Sequence, residues 1–412
     1  MSTNPLNQKH ILLGVTGSIA AYKAADLASQ LTQAGALVDT ILTRAGTQFI
    51  TPITFQSVTG RNAYTDADLW GTQAHVLHVG LARQADMLVI APATATTIAR
   101  LAHGTADDLL SLTALALGSG ENSPPLLIAP AMDGNMYNHP ATQANLQVLI
   151  ERGAIVIGPE AGHLASGLVG KGRMTEPADL LGHIRYLLSR DGQLKGKVVV
   201  ITAGGTQEAL DPVRVLTNRS SGKQGLALVQ AALDCGADVL LIATPVAPSP
   251  PIGAKHIQVT SAREMEHAVM KACTQADVLI MAAAVADFRP AATASQKIKK
   301  QGNVLAIELE ATTDILKAVA QQREQSKRPR VVIGFAAETE NLLANAQDKL
   351  KSKGLNLIVA NDVSNPESGF SVDNNRVTLL GADGSVETLP LVSKTEVAET
   401  VINKLIMMLN EG

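Results

Sequence analysis

Short unbroken runs of Val, Ile and Leu recur along the chain, most of them entered from a helical pattern that ends in Gly-Ala or Gln-Ala. They are QAGALVDTIL (33–42), RQADMLVIAPA (83–93), ERGAIVIGP (151–159), CGADVLLIA (235–243), TQADVLIMAA (274–283) and KGLNLIVAND (353–362). Apolar strands that do not alternate with polar positions, separated by helices, predict parallel sheets covered on both faces. The expected class is α/β, doubly wound, and built twice, with ligands at the carboxyl ends of the strands.

Two strand–loop–helix openings support the doubling. GVTGSIAAYKA (14–24) begins the chain's first sheet, and ITAGGTQEALDPVRVLTNRSSGKQG (201–225) begins another near its middle. Glycines in such loops let backbone N–H groups face a ligand, and the helix start beyond favours an anion. A length of 412 residues suits two domains. The polar joint SRDGQLK (189–195) places the boundary, giving domains 1–190 and 191–412.

Composition narrows the function classes. With 46% hydrophobic and 17% charged residues the chain reads as globular, and no apolar run is long enough to span a bilayer. The start MSTNPLNQKH lacks the basic and apolar blocks of a secretion signal, so a cytoplasmic location is expected. A net charge of −3 and an aromatic content of 2% argue against a nucleic-acid partner. Cys235 and Cys273, both ahead of apolar runs, are expected to be small buried hydrophobes.

In the first half, Gly14-Val15-Thr16-Gly17-Ser18-Ile19 is not the G-x-G-x-x-G of dinucleotide enzymes, and the second strand ends in Thr43-Arg44 without a ribose-binding acid. Both features favour a mononucleotide. Later strand ends supply Ala91-Pro92-Ala93-Thr94 and the stretch from Ala129 to Tyr137, with HVLHVGLARQAD (75–86) leading into the first of them. Together these motifs resemble the flavin-containing cysteine decarboxylases, a trimeric flavodoxin-like family. The resemblance implies that Gly17, Ser18, Ile19, Thr43 and Thr94 hold FMN and that His78, rather than His75, is the base. The flavin of that family takes two electrons from a cysteine side chain, leaving a thioaldehyde that serves as electron sink for loss of carbon dioxide. Histidine suits the accompanying proton removal because its ordinary pKa lies near neutrality.

Two positions depart from the family. Its P-x-M-N-x-x-M-W appears as Pro130-Ala131-Met132-Asp133-Gly134-Asn135-Met136-Tyr137, so the substrate-binding set becomes Asp133, Asn135 and Met136. An ionised Asp133 would repel a substrate carboxylate, and a protonated Asp133 is therefore expected, with Asn135 or a backbone N–H as the other candidate grip. GHLASGLVGKGRM (162–174) resembles the family's mobile clamp, and Ser166 stands where a proton-donating cysteine is common. A hydroxyl is the weaker acid, so either another donor finishes the reduction or the reaction stops at the enethiol.

Beyond the joint, ITAGGT, LDPVRVLTNRSSGKQG, AAVADF, KIKK, GFAAETE and ANDVS follow in order. This series resembles the phosphopantothenate–cysteine ligase half of bifunctional bacterial coenzyme A enzymes. The resemblance implies that CTP activates 4′-phosphopantothenate as an acyl-cytidylate, which the amine of L-cysteine then attacks, with Mg²⁺ on the triphosphate. By the same resemblance Asn218 holds the acyl carbonyl, Lys297 lies at the α-phosphate, and Arg214 takes the phosphopantothenate end. Met281, Ala282, Ala283, Asp287, Thr313, Asp314, Ile315, Leu316 and Phe335 would line the nucleotide site. Lys349 and Lys353, one turn apart on a helix expected over 338–353, would grip the outer phosphates. Homo-oligomers, with decarboxylase trimers and ligase dimers, are expected. Two other readings stay open at this level: a nicotinamide-dependent reductase with two Rossmann-like domains, and an active ligase carrying a first domain that has lost its chemistry.

Overall fold

The computed structural model describes residues 4–70, 76–120, 123–299, 306–338, 342–362 and 372–411. His75, Lys300, residues 339–341 and residues 363–371 lie outside that set. The chain divides into two compact units, residues 4–188 and 189–412. No helix among the described residues is long and apolar enough to cross a membrane.

The first unit is built on six parallel strands: β1 (His10–Val15), β2 (Leu37–Leu42), β3 (Ala63–Tyr64), β4 (Met87–Ala93), β5 (Leu126–Pro130) and β6 (Ile155–Val156). Their order is β3-β2-β1-β4-β5-β6. Without the two-residue edge strand β3, this is the flavodoxin order. Neighbouring residues of β1 explain the unalternated pattern, since Leu12 belongs to the apolar cluster on one face and Leu13 to the cluster on the other. The helix Ala21–Gln33 covers one face with Ala24, Leu27, Ala28 and Leu31, the i, i+3, i+4, i+7 stripe of an amphipathic helix. It ends at Gly35, whose φ of +92° is one a side chain disfavours, and the chain turns there into β2. An antiparallel hairpin, β7 (Glu160–His163) and β8 (Val169–Arg173), stands apart from the sheet.

The second unit continues with β9 (Val198–Ala203), β10 (Gln207–Ala209), β11 (Val215–Thr217), β12 (Asp238–Ala243), β13 (Lys255–Gln258), β14 (Val278–Met281), β15 (Phe288–Pro290) and β16 (Leu309–Ala311). After them come β17 (Val331–Glu338), β18 (Leu357–Asp362), β19 (Asn374–Asn375), β20 (Val377–Gly381) and β21 (Val386–Thr388). Eight of these form one sheet in the order β13-β12-β9-β14-β17-β18-β20-β21. The expected parallel sheet accounts for its first six strands, whereas β20 and β21 pair antiparallel at one edge. The turn Asp383-Gly384-Ser385 makes that possible: Asp383 accepts the Ser385 N–H at 2.9 Å and Gly384 has a φ of +86°, so no crossover helix is needed.

Cys235 and Cys273 are free and buried. Burial pushes their thiols up to about 11 and about 12, so both are protonated core side chains at neutral pH.

At the start of the helix Lys223–Asp234, a Cβ on Gly225 would lie 2.5 Å from the Cβ of Ala203 and 3.0 Å from the Thr202 carbonyl oxygen. Helix and strand β9 meet there with no room for a side chain. Gly225→Val is expected to destabilise the second unit by about 1–3 kcal/mol, seen as a lowered transition in calorimetry with the first unit's transition unmoved.

Candidate functional site

Each unit carries a cavity at the switch point of its own sheet, where the strand order reverses. In the first unit the loops after β1 and β4 meet there. The Thr16 hydroxyl donates to the Pro92 carbonyl at 2.6 Å and accepts the Thr94 N–H at 3.1 Å, locking the two loops together. A cavity of about 510 Å³ opens beside them, with Gly17, Ser18, Ile19 and Thr94 on one wall. No side chain caps the helix Ala21–Gln33, whose positive end favours an anion, while the Ala21 and Lys23 N–H groups donate to the Ser18 and Ala20 carbonyls at 3.0 Å each. Ile19, Tyr22 and Met136, all at least half exposed, add an apolar wall suited to a flat ring. These features fit FMN.

Thr43 takes a different place from the other four expected FMN residues. It is buried, and its hydroxyl accepts the Gly46 N–H at 3.1 Å, which props the turn packed under Gly17. It does not figure among the described residues lining the cavity.

Met132 and Asp133 line the cavity further, and the tip of the β7–β8 hairpin adds residues His163 to Ser166. Asp133 caps the short helix Gly134–Asn138, accepting the Asn135 N–H at 2.9 Å. Its other oxygen accepts the Ser166 hydroxyl at 2.6 Å. The Ser166 donor first, and the Asn135 N–H second, hold this carboxyl below its ordinary value. The expectation of a protonated Asp133 is corrected by this arrangement: two donors aim at the carboxylate, and the site is too open for desolvation to prevail. Asn135 contributes its backbone N–H and is not among the described residues lining the cavity.

A carboxyl with a lowered pKa supports the folded hairpin at neutral pH and loses that contribution as pH falls through the lowered value. In carboxyl-carbon NMR, Asp133 is expected to titrate below the ordinary value of about 3.9, and Ser166→Ala is expected to move the midpoint upward. An unmoved midpoint in that variant would remove the latch.

His78 stands on the helix Leu77–Gln84, half-buried, and is absent from the described lining of the cavity. One lining residue was not singled out in the opening motif that contains it. Lys23, on the apolar face of its helix, is buried with Nζ 2.6 Å from Glu176 and 3.3 Å from the Met174 carbonyl. It pins the chain just after the hairpin. Its only signal in the sequence is a lysine set among alanines.

In the second unit the Thr202 hydroxyl accepts the N–H groups of Ala282 and Ala283 at 3.1 and 3.0 Å, joining the end of β9 to the loop after β14. The cavity there measures about 490 Å³. Asn218, Met281, Ala282, Ala283 and Asp287 line it, together with Thr313, Asp314, Ile315, Leu316 and Phe335. Lys349 and Lys353 complete that wall, and the Lys353 Nζ lies 3.2 Å from Asp314. The helix carrying Lys349 runs Leu342–Ser352, shorter than expected, because strand β17 extends through Glu338. Lys353 therefore follows the helix.

Lys297 and Arg214 are not among the described residues lining this cavity. Lys297 is exposed on the segment after β15. The Arg214 guanidinium is already engaged, donating to Asp211 at 3.2 Å and to the Ile298 carbonyl at 3.0 Å. Conversely, Gln224, Asn375 and Lys394 line the cavity without having been singled out. Asn375 donates to the Gln224 side-chain oxygen at 3.1 Å, and Gln224 donates to the Lys394 carbonyl at 3.1 Å. Burial first, and Lys223 second, push the Lys394 ammonium below its ordinary value. The helix Lys223–Asp234 opens at Gly222 with no side-chain cap, leaving its N–H groups to an anion.

Two family models divide the chain. "Flavoprotein" matches residues 1–189, and "DNA/pantothenate metabolism flavoprotein C-terminal domain" matches residues 194–408. The coenzyme A biosynthesis bifunctional protein CoaBC of Bacillus subtilis (strain 168) is 43% identical over 403 residues, covering 97% of each chain. That of Vibrio cholerae serotype O1 is 46% identical over 397 residues, covering 96% of this chain and 97% of that one. The chain belongs to the family of bifunctional coenzyme A biosynthesis proteins. The reading as a nicotinamide-dependent reductase gives way, since both cavities fall within this family's two domains. Among solved structures, the C-terminal domain of a bifunctional CoaBC protein is 40% identical, covering 54% of this chain and all of that one, with a TM-score of 0.46. The FMN binding protein AtHal3 is 34% identical, covering 44% of this chain and 97% of its own, with a TM-score of 0.40.

Proposed function

We propose that this chain makes 4′-phosphopantetheine from 4′-phosphopantothenate, L-cysteine and CTP, the second unit acting first. The observation that carries the reading is the pair of separate cavities, each at a switch point and each within one of the family's two domains. In the second, a carboxylate oxygen of phosphopantothenate attacks the α-phosphorus of CTP and pyrophosphate leaves. The cysteine amine then attacks the acyl carbon and CMP leaves. Lys349, Lys353 and the uncapped helix start hold the triphosphate, Asp287 and Phe335 hold the nucleoside, and Asn218 holds the acyl carbonyl; Lys297, from the segment after β15, stabilises charge at the α-phosphate. Among the described residues no group of three or more His, Cys, Asp or Glu converges. Mg²⁺ is accordingly assigned to the phosphates of CTP rather than to a protein cage.

In the first unit Gly17, Ser18, Ile19 and Thr94 hold FMN, with Thr43 supporting their loop. When bound, FMN supplies the two-electron acceptor that this decarboxylation requires. Asp133, Met136 and the β7–β8 hairpin enclose the substrate, and the hairpin excludes water. His78 serves as base from another copy of the chain, which accounts for its place outside the cavity of its own copy. The exposed apolar side chains Ile19, Tyr22, Phe49, Ile53 and Trp70 on this unit support such an assembly. A trimer through the first unit, a dimer through the second and a cytoplasmic location complete the proposal.

One incubation tests it: 4′-phosphopantothenate, L-cysteine, CTP, Mg²⁺ and FMN-loaded protein, followed by mass spectrometry. Phosphopantetheine is the expected product. A halt at phosphopantothenoylcysteine would leave the ligase alone. Accumulated enethiol would show that Ser166, whose proton is engaged by Asp133, does not complete the reduction. No pyrophosphate at all would sink the proposal.

A further inference from the structure

Between β15 and β16 lies an excursion, described over residues 291–299 and 306–308, whose flanking strands adjoin the wall of the second cavity. Asp287 and Thr313 flank it, and Thr312 closes it by donating from its N–H to the Asp287 carbonyl at 2.9 Å and from its hydroxyl to the Ala286 carbonyl at 2.6 Å. Lys297 sits on this excursion. The stretch 293–298 is stitched to the turn of the β10–β11 hairpin, whose far end leads into Asn218. The Ala294 N–H donates to the Leu210 carbonyl at 3.0 Å, and the Thr293 hydroxyl to the Ala209 carbonyl at 3.1 Å.

The clamp next to Lys297 is more specific. Both polar groups of Ile298 are held: its N–H donates to Asp211 Oδ2 at 3.1 Å, and its carbonyl accepts from Arg214 Nη1 at 3.0 Å. Asp211 is itself only 2% exposed. Its Oδ1 accepts the N–H groups of Val213 and Arg214, each at 2.8 Å, while Oδ2 serves Ile298 and the Arg214 guanidinium. Burial pushes this carboxyl up, but three backbone N–H groups and the Arg214 charge outweigh it and hold it below its ordinary value. It is thus an ionised acceptor across the neutral range. One oxygen shapes the turn, and the other reaches across to the excursion.

We propose that Asp211 is a positioning residue of the ligase site: with Arg214 it clamps the N–H and the carbonyl of Ile298, one in each flanking peptide group, and so fixes the backbone from which Lys297 reaches the triphosphate. This also gives Arg214 a role other than binding the phosphopantothenate end, since its guanidinium closes the clamp. The inference rests on the proposed role of Lys297 at the α-phosphate.

Asp211→Asn separates the two functions of the carboxylate. An asparagine keeps Oδ1 for the turn, but its Nδ2 donates and cannot accept the Ile298 N–H. In the full chain, Asp211→Asn is expected to lower kcat for pyrophosphate release roughly 10- to 100-fold, as misplacing a catalytic group does. The KM for CTP should change by less than about threefold, because the triphosphate grips are untouched. Lys297→Gln is expected to lose about 100-fold or more. The double variant should be no slower than Lys297→Gln alone, because Asp211 acts through that lysine. Trypsin supplies a readout independent of activity, since its bond after Lys297 is the peptide held by Asp211. Cleavage there should speed up at least about fivefold in Asp211→Asn, with other sites unchanged.

Should Asp211→Asn fail to fold, Ile298→Pro deletes the same N–H from the other side and should show the same loss of kcat. Additive losses in the double variant, or an Asp211→Asn protein with unchanged rate and unchanged cleavage, overturn the inference while the role of Lys297 stands. A fully active Lys297→Gln overturns that role, and the inference falls with it.

Discussion

Replacing His78 by Asn is expected to lower decarboxylation by about 10²- to 10⁴-fold, the usual worth of a general base, while pyrophosphate release from CTP continues at its normal rate. The fold should tolerate the change. Leu81 and Ala82 are the buried anchors of the helix Leu77–Gln84, and His78 is only half-buried. Exchanges away from core anchors usually stay within about 0.5 kcal/mol. An unchanged visible flavin spectrum in the loaded variant would show that the loss is one of proton transfer and not of cofactor. Mixing gives a sharper result. If His78 of one copy serves the cavity of another, His78→Asn protein exchanged with Asp133→Ala protein should regain part of the activity that each lacks alone. Decarboxylation at full rate by His78→Asn would remove the histidine from the mechanism. Lost activity with no rescue on mixing would place base and cavity in a single copy.

Asn218→Ala is expected to slow the second half of the ligase reaction by about 10²- to 10³-fold, the loss seen when one donor to a developing oxyanion is removed. Pyrophosphate release should survive it, so the acyl-cytidylate should accumulate and be visible by mass spectrometry. The geometry supports a clean experiment. The Asn218 amide nitrogen lies 3.4 and 3.2 Å from the carbonyl oxygens of Ala284 and Val285, contacts at the exposed edge of the cavity that water can replace. The residue borders the turn where the Ser220 N–H donates to the Asn218 carbonyl at 2.8 Å, a backbone contact that the substitution keeps. Parallel loss of pyrophosphate release and condensation would assign Asn218 to CTP binding instead.

The architecture was largely legible because its signals are short-range. A run such as QADMLVIAPA must be covered on both faces, and the neighbours Leu88 and Val89 do fall in opposite apolar clusters. Helices stopped by glycines, as at Gly35 and Gly236, where φ is +92° and +86°, mark where a strand must begin. From strands and crossovers alone, the switch points follow, and with them the loops at residues 17–19, 94, 218–225 and 281–287 that line the cavities. The edge hairpin β20–β21 was less legible because a short antiparallel return leaves no helix in the pattern.

The sequence by itself thus determined two α/β units, their switch points and the residue types gathered at them. The tertiary structure alone decided which polar partners those residues take. Ser166 meets Asp133 from 33 positions away, Asn375 meets Gln224 from 151, and Asp211 meets Ile298 from 87. These partnerships give Asp133 two donors that favour its ionised form, and bring Arg214 to Asp211 and the Ile298 carbonyl. The physical reason is one of range: apolar periodicity is set by neighbours two to four positions apart, whereas a hydrogen bond forms wherever folding brings a donor within about 3 Å of an acceptor.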